Sequence, residues 1–116
     1  MKTPAIRDRL RDIVSYGREA IDAVAELSAE QILAERFREH TVLRTVQIVG
    51  EAAAQLTKLD SAMTGRIDTL QRAVSLRNVL VHGYTKIRME EIVRIVRADM
   101  PDLIDHAAVV LGEDYE

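Results

Sequence analysis

Arg77-Asn78-Val79-Leu80-Val81-His82-Gly83-Tyr84 places a permanent cation, an amide, an imidazole and a phenol within eight residues. They close an apolar run that begins with Ile67, Leu70 and Val74 at helical spacing, and Gly83 offers that helix a stop. With Val79, Leu80 and Val81 beside the polar residues, the helix is apolar almost all round. Such a helix is buried, or half buried and half docked on a partner. On a continuous helix Asn78 and His82, four apart, share one face. Arg77 and Tyr84, seven apart, line up on a neighbouring stripe, while Arg77 and His82 diverge by about 140°. Either the helix breaks at His82-Gly83 or two copies of the segment build one site between them. The spacing favours a mixture of the two.

The rest of the chain supplies helices to surround this one. Thr3 caps and Pro4 starts a long amphipathic helix, with Ile6, Leu10, Ile13, Val14, Gly17, Ile21, Val24 and Leu27 repeating at helical spacing. Ser28-Ala29-Glu30-Gln31 has the form of a capping box and opens a short helix through Leu33. A second long helix runs from about Glu35 to Lys58, with Phe37, Val42, Val46, Val49, Ala53 and Leu56 assigned to one stripe. The Val42, Val46 and Val49 seam is core or dimer interface. Gly50 in the middle of this helix implies that something packs closely against it. Glu51 beside it either faces the motif helix, orienting Arg77 or His82, or is a surface glutamate. His40, among Arg38, Glu39 and Thr41, reads as solvated. Residues 59–66 are the best loop, and Tyr84-Thr85-Lys86-Ile87-Arg88 is an exit loop. A last helix runs from about Met89 to Leu111, with a kink or break near Asp99-Met100 ahead of Pro101. Residues 112–116 read as a disordered acidic tail.

With no strand pattern, no repeats and short connections, the expectation is an all-α fold. It is an antiparallel up-and-down bundle of four long helices plus a short extra helix, forming one domain over residues 1–111. A length of 116 residues with 47% hydrophobic and 30% charged residues fits a single globular domain. The absence of cysteine excludes disulfides and thiolate metal sites. No apolar run reaches the ~20 residues that span a bilayer, and the start lacks a signal-peptide hydrophobic region. The reading is cytoplasmic, with no membrane association.

A net charge of −3 is unlike a general nucleic-acid binder. Its distribution is uneven. Arg66, Arg72, Arg77, Lys86, Arg88, Arg94 and Arg97 face only Asp68, Glu90 and Glu91 in the 66–97 window, so that window is +4 and the remainder −7. The positive field surrounds the motif, as a site for a polyanion requires; a solvated helix face with paired charges would give the same counts.

The residue types point to chemistry. Arginine presents a fixed fork of donors that suits phosphate, and histidine moves protons near neutral pH. No carboxylate cluster accompanies them, and no Glu-x-x-His or His-x-x-x-Glu pair lies on a helix, which argues against a metal-dependent helical hydrolase. Arg77 with His82 suits metal-free phosphodiester cleavage, in which the RNA 2′-hydroxyl attacks and cations stabilise the developing charge.

Arg77-x4-His82-x-Tyr84 resembles the Arg-x4-His-x-Tyr signature of the HepT-like toxins, a branch of the HEPN superfamily of small helical ribonucleases. Gly50-Glu51-Ala52, Leu76-Arg77-Asn78 and Met100-Pro101-x-Leu103 are similar to further segments of that family, and Leu70 replaces its frequent tryptophan. The likeness extends from roughly Ile6 to Leu111. It implies a homodimeric, metal-independent endoribonuclease without cofactors. Arg77, His82 and Asn78 would be its catalytic residues, Glu51 a possible support, and RNA its substrate. It further implies an antitoxin partner, a minimal nucleotidyltransferase that blocks the site by attaching AMP to Tyr84. The competing reading is a non-catalytic interaction or nucleotide-binding subunit beside a nucleotidyltransferase.

Overall fold

A computed structural model describes residues 3–78 and 86–115. His82 and Tyr84 lie outside the described residues. The chain starts with α1 (Pro4–Val24), whose Thr3 cap accepts the Ile6 N–H at 3.3 Å. Ile6, Leu10, Ile13, Gly17, Ala20 and Val24 step round one face by threes and fours and are buried. The helix stops at Ala25, which has φ 46° and ψ −130° and donates its N–H to Ile21 O at 2.8 Å. That is glycine's territory, and an alanine Cβ strains it. Two arginines hold the corner. Arg38 Nη1 donates to Ala23 O at 2.8 Å, and Arg97 Nη2 donates to Ala25 O at 3.1 Å and Leu27 O at 2.6 Å.

The expected capping box forms at α2 (Ala29–Leu33): Ser28 Oγ accepts from Gln31 N at 3.1 Å, and Ser28 N donates to Gln31 Oε1 at 2.9 Å. Next comes α3 (Arg36–Leu59), packed along α1. Val42, Val46 and Val49 are fully buried against the rest of the chain, so the seam is core. Phe37 departs from the reading. It lies five residues before Val42, about 140° round the helix, and is 87% exposed.

The stretch read as a loop contains a turn of helix, α4 (Met63–Arg66), whose Met63 is fully buried. The motif helix is described as far as Asn78, and its expected continuation to His82 lies outside the described residues. Within the described residues it consists of α5 (Leu70–Val74), which tightens into a 3-10 turn over Ser75–Asn78. The last helix is two: α6 (Lys86–Ala98) and α7 (Met100–Asp114), separated at Asp99 with Pro101 in the first turn of α7. Proline has no N–H to continue the ladder, and its ring opposes the preceding turn. α7 continues past Leu111 to Asp114, and Arg66 pairs with Glu113 at 3.4 Å, so residues 112–114 are helix where a disordered tail was expected.

The described residues form an all-α bundle. α1 lies at its centre, packed on α3 and on α7, while α2 leans on α6 and α3 carries α5 with its 3-10 turn. None of the described helices is long and apolar enough to cross a membrane. Replacing Ala25 by glycine should raise stability by about 1 kcal/mol, because it relieves a strained φ. An ordinary alanine-to-glycine change is destabilising. Urea unfolding of the two proteins checks the sign.

Candidate active site

The described part of the motif is positioned by a glycine. A Cβ on Gly50 would lie 2.8 Å from Leu76 C and 3.0 Å from Arg77 Cα, and it would overlap Arg77 N. The backbone of the 3-10 turn therefore rests directly on α3, at the glycine whose mid-helix position implied a close neighbour. Ala52, Ala53 and Ala54 beside it are small and buried. Leu76 is 2% exposed and anchors the turn in the core, and Ser75 Oγ donates to Arg72 O at 2.6 Å as the helix tightens. One residue later Arg77 is exposed.

This local geometry alters the angular picture drawn from an ideal α-helix. Arg77 and Asn78 belong to a 3-10 turn, which advances about 120° per residue. Faces assigned at 3.6 residues per turn do not apply to them. Arg77 has no hydrogen-bond or ion-pair partner among the described residues.

Glu51 is exposed. It opens onto a cleft of about 380 Å³ between α1 and α3, shared with Arg9, Asp12, Arg44, Gln47 and Gln55. No described residue bonds to its carboxylate. Of the two roles considered for it, the described surroundings are those of a surface glutamate one residue from the motif contact. His40 is exposed as read.

Most of the basic window is paired, partly within a helix and partly between helices. Arg66 pairs with Glu113, Arg72 with Asp99 at 3.0 Å, Arg88 with Glu91 at 3.6 Å and Lys86 with Glu30, while Arg97 caps the α1–α2 corner. Arg77 and Arg94 are the members of that window without a described partner. Positive charge at the site is thus narrower than the +4 count implied. Sequence reasoning missed these tethers because partners as far apart as Glu30 and Lys86 leave no periodic signal.

Lys86, the first residue of α6, ties the exit of the motif segment to α2. The bond to Lys86 and its charge hold the Glu30 carboxyl below its ordinary range, and Glu30 in turn raises the Lys86 ammonium. A lowered carboxylate contributes stability that is present above its unfolded pKa and lost as pH falls through the folded value; a raised lysine's contribution is lost as pH climbs through its own. Both groups are in water, so the contribution is small and salt-screened.

The sequence model of a family described as ribonuclease HepT-like matches residues 8–110. No curated protein and no solved structure gives a significant match.

Three variants test the geometry. Gly50→Ala should cost about 1–3 kcal/mol, since a backbone must move, and should shift the Leu76 and Arg77 amide signals. Gly17→Ala, whose Cβ would meet the Ile104 side chain at 2.8 Å, should cost less because a side chain can repack. Glu30→Gln should abolish the dependence on Lys86: stability of the wild type but not the variant should fall on removal of the Lys86 charge, and less so in high salt.

Proposed function

The chain belongs to the HepT-like ribonuclease family, and from that premise we propose that it is the toxin of a toxin–antitoxin pair, a metal-independent endoribonuclease working as a homodimer. What supports this is the extent of the match, which runs through the Gly50 contact and the whole of residues 77–84. An arginine held outward on a buried turn is suited to a phosphodiester.

In this reading Arg77 grips the scissile phosphate and stabilises the charge that develops on its oxygens. His82 takes the proton from the neighbouring 2′-hydroxyl. The 2′-oxygen bonds to phosphorus, the bond to the 5′-oxygen breaks, and that oxygen takes up a proton. The products are a 2′,3′-cyclic phosphate and a 5′-hydroxyl. Two copies with their motif segments adjacent would bring a second imidazole to return the proton. Asn78 orients His82 or the phosphate, while Glu51, a surface glutamate on the α1–α3 cleft, is left without a part in the chemistry. Tyr84, two residues past the imidazole, is the control point. AMP placed there by a minimal nucleotidyltransferase antitoxin would put a bulky anion where the substrate phosphate binds.

Cleavage of a mixed RNA pool in EDTA should leave cyclic-phosphate ends and fall on the order of a hundredfold or more in Arg77→Ala and His82→Ala. A folded, unmodified dimer that leaves RNA intact would instead favour a non-catalytic nucleotide-binding subunit. Tyr84→Phe should fold and cleave yet resist adenylation by the partner; full adenylation of that variant would remove Tyr84 from the scheme.

A further inference from the structure

Phe37 is the chain's single phenylalanine and is 87% exposed. Leaving such a ring in water forgoes roughly 2 kcal/mol of burial. It borders an open cleft of about 450 Å³ between the second half of α1 and the start of α3, lined also by Glu19, Asp22, Glu35 and Arg38. Arg38 does not neutralise this cleft. Its Nε is paired with Glu35 at 2.9 Å and its Nη1 with Ala23 O at 2.8 Å, so guanidinium and Glu35 cancel within the wall. Glu19 and Asp22, both exposed on α1, have no ion-pair partner among the described residues. An open aromatic face thus stands beside two uncompensated carboxylates.

We propose that this cleft docks a basic segment of a protein partner, with an arginine or lysine side chain laid over the Phe37 ring and its charge met by Glu19 and Asp22. Charge complementarity selects the occupant. A cation gains from the negative face of the ring and from both carboxylates together. RNA is disfavoured, because its phosphates would meet the same two carboxylates. A purely apolar segment would leave them facing an uncharged surface, with the loss of hydration uncompensated.

The surface is also separate from the motif. Phe37 and Gly50 are thirteen residues apart on one helix, about 20 Å along its axis. A partner seated on the ring would leave Arg77 open.

The test uses the full chain and does not depend on cleavage. A fluorescein-labelled short peptide interspersing arginine with leucine is titrated by anisotropy, beside its counterpart with glutamate for arginine. The arginine peptide should bind the wild type and the glutamate peptide should not. Phe37→Ala should weaken binding about tenfold, and Asp22→Asn should weaken it and flatten its salt dependence. Arg77→Ala should bind as the wild type does. Phe37 is exposed, so its alanine variant should melt with the wild type and cut RNA as the wild type does. Equal binding by wild type and Phe37→Ala, or none by either, overturns the proposal. So does an effect of Phe37→Ala confined to self-association in sedimentation velocity, which would give the ring to a second copy. Loss of labelled single-stranded RNA binding in Phe37→Ala would overturn it in favour of RNA.

Discussion

The approach of the Leu76–Arg77 backbone to Gly50 is the contact on which the candidate site depends. A glycine in a helix interior sacrifices about 1 kcal/mol relative to alanine, and here the return is a turn of chain lying directly on α3. That closeness lets Leu76 reach the core from a short segment, and a 3-10 turn then carries the next side chain outward. Burial of Leu76 and exposure of Arg77 are two results of one constraint. A Cβ at position 50 would lift both residues together. The core side and the chemical side of the motif are therefore coupled through the backbone rather than through a side-chain network.

Charge in this protein acts mainly as fastening. Arg97 satisfies two carbonyls at the strained corner after α1, Arg72 clamps the α6–α7 break at Asp99, and Lys86 ties α6 to α2. Exposed ion pairs contribute little singly. The Arg97 bonds differ, because they serve backbone groups in a turn whose φ disfavours the residue it holds. With so many cations committed, a net-negative chain has to attract RNA locally. Few phosphates would be neutralised, and affinity should depend less steeply on salt than for a broadly basic nuclease.

Much of this was legible in the sequence wherever a local rule acts alone. The Thr3 cap, the Ser28–Gln31 box, the step of Ile6, Leu10 and Ile13, the reason for Gly50 and the break before Pro101 each follow from a few neighbouring residues. The misreadings share a different cause. Phe37 was drawn onto an apolar stripe by its chemistry although its spacing is wrong, and only the packed helix reveals where that residue points. The switch from α to 3-10 at Ser75 depends on burying Leu76 beneath a turn resting on α3, which no periodicity of the segment records. For the site itself, Arg77 was legible by type and its exposure is seen, while His82 and Tyr84 stand outside the described residues.

The start and the middle of α3 carry opposite electrostatics, and the stretch of helix between keeps them apart. Near its middle Gly50 seats the turn that exposes Arg77; at its start Phe37 lies beside Glu19 and Asp22. About 20 Å of helix separates them, against a Debye length of about 8 Å at physiological ionic strength. The field of the carboxylates beside Phe37 is then largely screened at the Arg77 guanidinium. They still disfavour RNA at their own end, where distances are short. One helix thus carries an exposed guanidinium and an anionic cleft in the same small domain without either neutralising the other.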